Sequence, residues 1–188
     1  MTLILNHQDI QHRIRRIAYQ IYETHLHETE IILAGIQGNG YVFAEKIRQC
    51  LTEISPLKIT LCKVNMDKKN PIGSISASLP ATEYQNKSVV LVDDVLNSGL
   101  TLIYGVRYFL EVPLKKFTTA VLVNRNHKTF PIKADFKGIF TFLLLYKSTF
   151  RWFLKKGMIQ LIWNKHFWGC LIKSKMIFFS VSYLLSLS

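Results

Sequence analysis

The sequence predicts an α/β domain built on a central parallel sheet flanked by helices, and three stretches carry that reading. The run EIILAGI, Glu30–Ile36, is short, apolar and rich in β-branched residues, the pattern of a strand buried on both faces. It breaks into Gln37-Gly38-Asn39-Gly40, and a helical stretch follows from Tyr41 to about Leu51. A strand, loop and helix then recur at residues 88–110. Parallel neighbours need crossover connections, so repeated strand–loop–helix units point to a parallel sheet.

Taken in order, the first element is a helix over residues 8–24, where Ile10, Ile14, Ile17, Ala18 and Ile21 fall on one face. Arg13, Arg15 and Arg16 lie on or beside the other face, more in keeping with a solvated helix surface than with a nucleic-acid patch. His25 and His27 follow in a turn and are expected at the surface. Beyond the first strand–loop–helix unit, Leu57–Val64 alternates as a second strand. Residues 65–87 are polar, hold two of the five prolines and read as a long loop or flap. A loop of that length in a small domain is usually functional or mobile. Ser88–Val92 then reads as a strand, Asp93–Leu100 as a loop, Thr101–Leu110 as a helix and Phe117–Val123 as a further strand.

With 188 residues, 49% of them hydrophobic and 19% charged, the chain has the composition of one folded domain rather than of a disordered segment. Its formal charge of +12 is unevenly placed. Residues 1–138 hold 17 Lys and Arg against 12 Asp and Glu, whereas residues 139–188 hold 7 Lys and Arg and no acid. The basic excess is therefore mostly a property of the tail. Cys50, Cys62 and Cys170 show no metal-ligand spacing, and an odd count without a secretory leader is expected of reduced thiols in the cytoplasm. The run Met176–Leu187 is shorter than the roughly 20 apolar residues of a spanning helix, so no membrane span is expected.

The chemistry concentrates in VVLVDDVLNSGLT, residues 89–101. An apolar strand leads into two carboxylates, and a short loop supplies Asn97, Ser98, Gly99, Leu100 and Thr101 where a helix begins. Backbone N–H groups at a helix start, together with the helix dipole, favour an anion. Gly99 permits close backbone approach, and the hydroxyls of Ser98 and Thr101 can donate to phosphate oxygens. Asp93 and Asp94 fall at the carboxyl end of the strand, where open α/β sheets bind ligands, and paired carboxylates there suit ribose hydroxyls or a Mg2+ ion. The bland alternative is a strand, an Asp-rich turn and an ordinary helix cap.

This stretch resembles the signature of the type I phosphoribosyltransferases, an apolar strand, two acids and a Ser/Thr-Gly-x-Thr loop that binds 5-phosphoribosyl-1-pyrophosphate (PRPP). The resemblance spans about residues 4–138 and is nearest to the PyrR group, pyrimidine-operon attenuators that also act as uracil phosphoribosyltransferases. LAGIQGNG (Leu33–Gly40), Ile59–Leu61 and AVLVNRNHKTFPIKADFKG (Ala120–Gly138) match that group in order. The resemblance implies the type I phosphoribosyltransferase fold with a flexible loop or hood. It gives Asp93 and Asp94 catalytic contact with the ribose hydroxyls and, indirectly, with PRPP-bound Mg2+. It makes residues 97–101 the 5′-phosphate loop and Ile36, Gln37, Gly38, Asn39 and Gly40 the pyrophosphate loop. It also implies a homo-oligomer, a nucleobase as second substrate and RNA as a possible partner. Arg125 and His127 then fall beside the active site or on a nucleotide or RNA face, or else form a solvated basic turn. Lys68 and Lys69 either close over pyrophosphate or simply sit in a mobile loop.

The sequence departs from the pattern in places. Gly38 and Asn39 stand where the group has Thr-Arg, and Leu100 where an Arg is common. Arg15 and Tyr19 replace a Thr and a His associated with RNA binding. Asn97 replaces the acid of purine enzymes, which favours a pyrimidine or no base exchange. After Gly138 the composition changes: all three tryptophans and 12 of the 23 aromatics fall in residues 139–188, with no acid and no proline. We read residues 1–138 as the domain, truncated at its C-terminal end, and residues 139–188 as a tail. That tail looks like translation of AT-rich DNA in a shifted frame, with a basic, aromatic membrane-surface segment as the competing reading.

Overall fold

The structure is a computed structural model that describes residues 2–68, 70–125, 129–140, 149–155 and 158–164. The chain runs through β1 (Thr2–Leu5), α1 (His7–Thr24), β2 (Glu30–Ile36), α2 (Asn39–Ile54) and β3 (Lys58–Asn65). It continues through β4 (Ser76–Ala77), α3 (Ala81–Tyr84), β5 (Ser88–Leu96), α4 (Leu100–Phe109), β6 (Lys116–Asn124), β7 (Phe136–Phe140), β8 (Thr149–Lys155) and β9 (Met158–Asn164). Six strands form one sheet in the order β4-β3-β2-β5-β6-β7. It is parallel except for β4, which pairs antiparallel with β3. The strands β1, β9 and β8 make a separate antiparallel sheet of three.

Period-two alternation sorts the central strands between two cores. Ile31 and Leu33 of β2 and Val90 and Val92 of β5 face one side, where they meet Ile10, Ile14, Ile17 and Ile21 of α1 and Phe43, Ile47 and Leu51 of α2. Ile32, Ala34 and Ile36 of β2 and Val89 and Leu91 of β5 face the other, against Leu102 and Phe109 of α4 and Met66, Tyr84 and Ala134. Burial on both faces explains the unbroken apolar runs. Each fully buried isoleucine of α1 stabilises the fold by an amount that truncation to Ala would expose as roughly 2–5 kcal/mol.

The helix α1 opens with a reciprocal cap: Asn6 accepts from the Asp9 N–H, and Asp9 accepts from the Asn6 N–H. Its Arg16 guanidinium donates to the carbonyls of Lys137 and Gly138, clasping the first helix to the edge strand β7. At its other end the expectation for His25 is corrected. The residue is 1% exposed, closes the helix through its backbone N–H, and donates from Nδ1 to the Ile21 carbonyl at 2.7 Å. A histidine that closes a helix through both its backbone N–H and its ring is drawn inward, which a polar turn in the sequence does not reveal.

Candidate functional site

The strand β5 does not stop at Val92. Its ladder to β6 continues through Asp93 opposite Val121, Val95 opposite Val123 and Leu96 opposite Asn124, so both carboxylates lie in the strand rather than in the loop expected there. Asp93 is buried at 4% exposure, and its Oδ1 accepts from the Asp94 N–H at 3.0 Å. Above the pair comes Lys68, whose Nζ lies 2.9 Å from Asp93 Oδ1 and 3.5 Å from Asp94 Oδ1. Burial, then repulsion from Asp94, pushes Asp93 well above the ordinary carboxylate range, and Lys68 pulls part of the way back. Burial works against the charged form of Lys68, but attraction to the two aspartates outweighs it and the lysine shifts upward. The two shifts agree once charges are counted: one ammonium faces two carboxylates in a partly dry place.

After Leu96 the chain turns through Asn97 and Ser98 to Gly99, whose φ of +89° is the left-handed backbone that an N-cap in this position needs. A Cβ there would also lie 2.6 Å from Ile132 Cγ2. The Ser98 hydroxyl accepts from the Leu100 N–H at 3.3 Å, which leaves its own O–H free to donate outward. The Ser98 carbonyl accepts from the N–H groups of Thr129 and Phe130, at 2.9 and 3.0 Å, so the loop is braced from behind. Asp93, Asn97, Ser98, Gly99 and Thr101, with Leu102 and Val121, line a small cleft open to solvent. Leu100 lies outside the lining of this cleft and starts α4.

The second glycine loop meets the first site from the side. Ile36 ends β2, and the Gln37 N–H donates to the Val64 carbonyl at 2.8 Å while its side-chain amide donates to the Met66 carbonyl. Gly38, at φ +83°, caps α2, and Asn39 begins it. Gly40 packs directly on Asp93: a Cβ there would meet Asp93 Oδ1 at 2.9 Å and Asp93 Cα at 3.1 Å. Residues 36–40 and 93–101 are thus neighbours across β2 and β5. Arg125 follows β6, half-buried, with its N–H on the Leu96 carbonyl at 3.0 Å, and burial lowers its pKa. His127 and Lys69 lie outside the described residues.

Sequence reasoning missed two participants: Phe130 and Ile132 form the back wall of the 97–101 loop. Gln37, expected in the pyrophosphate loop, also ties residues 36–40 to the start of the 65–87 segment. The signal for Phe130 and Ile132 was the apolar pair in the turn after β6, which a loop reading passes over. Among the described residues no group of three or more His, Cys, Asp or Glu side chains could hold a metal ion. Asp93 and Asp94 fit a cation all the same, since an ammonium already sits against them, but most ligands of a Mg2+ ion would have to come from substrate and water.

Three comparisons bear on this geometry. The family model described as phosphoribosyl transferase domain matches residues 2–154. The Bifunctional protein PyrR of Fusobacterium nucleatum is 36% identical over 146 residues, covering 73% of this chain and 82% of that protein. That of Alkaliphilus metalliredigens is 32% identical over 145 residues, covering 73% and 80%. Among solved structures, a hypoxanthine-guanine phosphoribosyltransferase from Bacillus anthracis superposes with a TM-score of 0.64 at 17% identity, covering 75% of this chain and 82% of that one. The hypoxanthine phosphoribosyltransferase of Trypanosoma cruzi gives 0.65 at 15%, covering 75% and 82%. These structures share the fold, and the carboxylate pair beside a glycine-led helix start is laid out on it. With the family model spanning most of its length and PyrR proteins among its relatives, the chain belongs to the phosphoribosyltransferase family.

Proposed function

We propose that the chain transfers the ribose 5-phosphate of PRPP to a nucleobase, most plainly uracil, giving UMP and pyrophosphate. One observation carries this reading: buried Asp93, in the last half of β5, shares a cleft with the Gly99-led N-terminus of α4. The cleft has a place for each end of a sugar phosphate. Backbone N–H groups and the hydroxyls of Ser98 and Thr101 receive the 5′-phosphate. Asp93 and Asp94 accept from the ribose 2′- and 3′-hydroxyls and counter positive charge developing on the sugar. Residues 36–40, held against Asp93 through Gly40, lie where the pyrophosphate departs. Mg2+ entering with PRPP supplies charge neutralisation on the leaving group. The protein's own part is mainly positioning, which fits a site made of a strand end and two capped helix starts.

Uracil is supported by Asn97, which cannot protonate a purine nitrogen as an acid would, and by the PyrR relatives. We place the enzyme in the cytoplasm, as a homo-oligomer, with Mg2+ as its metal. Among the described residues no helix is long and apolar enough to cross a membrane.

The decisive experiment is a calorimetric titration of the full chain with PRPP, with and without Mg2+, followed by a nucleobase screen. Magnesium-dependent binding is expected, with uracil as the accepted base. Asp94→Asn removes one charge-assisted hydrogen bond and should weaken Mg·PRPP by about 10- to 100-fold. Unchanged affinity in that variant would sink the assignment.

A second reading is favoured by a separate observation. The Arg15 guanidinium lies 5.9 Å from the centroid of the Tyr19 ring, which is 42% exposed on α1. A cation stacked on an accessible aromatic suits single-stranded RNA. In that reading the chain is a nucleotide-sensing RNA-binding regulator with little catalysis. A gel shift on a pyrimidine-operon leader RNA, with and without UMP, separates the two.

A further inference from the structure

The segment between β3 and β4 is anchored at its root. Met66 is 2% exposed within the α4-side core, and its carbonyl accepts from the Gln37 side chain. Two residues further on, Lys68 delivers its ammonium to the acid pair, 2.9 Å from Asp93 Oδ1. Only about two residues of chain separate a fixed point from a charged contact, so the lysine is aimed by the fold rather than by chance. Asp93 Oδ1, already taken by the Asp94 N–H, has its remaining capacity filled by Lys68. The carboxylates assigned to the ribose hydroxyls are thus occupied by a group of the same chain.

We infer that Lys68 is a tethered counter-cation that closes the carboxylate pair of the free protein and must be displaced before a sugar diol or a divalent cation can enter. This rests on the phosphoribosyl reading for the identity of the incoming diol, but the occlusion itself is a property of three side chains. The physical reason is local charge. Asp93 and Asp94 are adjacent in the chain, and Asp93 is almost fully buried. Without a cation the pair would repel in a medium of low dielectric, so a free protein must keep one carboxyl protonated, hold a metal or supply an internal positive group. Lys68 fills that role, and its side chain, 38% exposed, retains a path back to solvent. The energy that holds it is subtracted from the apparent affinity of whatever replaces it.

The test is binding of Mg2+ alone, without PRPP, to the wild type, Lys68→Gln, Lys68→Arg and Lys63→Gln. Lys63 is a control: it is exposed, lies 6.0 Å from the centroid of the Tyr41 ring and makes no contact with the carboxylates. Lys68→Gln should bind Mg2+ about tenfold more tightly or better, while Lys68→Arg and Lys63→Gln stay near wild type. Equal affinity in Lys68→Gln and wild type overturns the inference. A second measurement guards against a misfolded lysine variant. In Asp93→Asn protein, Lys68 loses its nearest partner, and its rate of amine acylation, read by peptide mass spectrometry, should rise several-fold over wild type. An unchanged rate again overturns the inference. Adding PRPP to the same samples keeps the two readings apart. If PRPP binds neither wild type nor Lys68→Gln, the phosphoribosyl reading fails, and the Mg2+ affinities still decide the role of Lys68.

Discussion

His25 shows how a single side chain can tie stability to pH. Its Nε2 has no hydrogen-bond partner among the described residues, and the same holds for the buried hydroxyl of Ser88. Burial lowers the His25 pKa from its ordinary value of 6.5, partly offset by the hydrogen bond to Ile21; Lys116 lowers it further and Glu28 raises it. A depressed pKa in the folded state means that the native protein prefers the neutral ring, while the unfolded chain protonates at its usual pH. The stabilisation is therefore complete above 6.5 and is lost as the pH falls through the lower folded value. In His25→Gln that dependence disappears. Denaturant unfolding of both proteins between about pH 7 and about pH 5 should show wild type losing stability relative to the variant on acidification. A constant difference across that range would exclude His25 as the source.

At the scale of elements, Gly99 decides where α4 begins. Gly99→Ala forces a Cβ into left-handed backbone and against Ile132, so we expect a loss of about 1–3 kcal/mol in stability and a marked loss of PRPP affinity. Thermal unfolding with and without PRPP reads both effects, and a variant as stable as wild type would show that the loop adapts. This position was legible in the sequence, because a glycine between a polar turn and an apolar helix has few other reasons to be there. The strand β2 was legible to the residue, since both its faces are apolar. The end of β5 was not: two aspartates and an asparagine resemble a loop, and only pairing with β6 reveals that the strand continues to Leu96. The contact of Lys68 with Asp93 was equally hidden, because the residues are 25 positions apart and no periodicity links them. The strand β1 escaped as well, being four residues long and paired with β9 far along the chain.

For the whole molecule, the change in composition after Gly138 remains the dominant feature. The family match extends to residue 154, and β7 spans residues 136–140, across the point where the aromatic, acid-free stretch begins. We propose that this stretch is not the ending with which the domain works best. A region with 7 basic residues, no acid and 12 aromatics combines apolar and positive side chains in one stretch of sequence. The full chain should therefore self-associate in size-exclusion chromatography at high concentration, more so than a version with the codons for residues 136–142 restored to the alternative frame. Clean monodisperse elution of the full chain would count against this.

The clasp of Arg16 onto the Lys137 and Gly138 carbonyls bears on how the molecule is made. It joins positions 121 and 122 residues apart, so almost the whole domain must leave the ribosome before it can close. Strands β2, β3 and β5 can assemble on α1 and α2 earlier, while β7 waits for its own synthesis. During that interval the face of α1 that will hold β7 is exposed on a nascent chain.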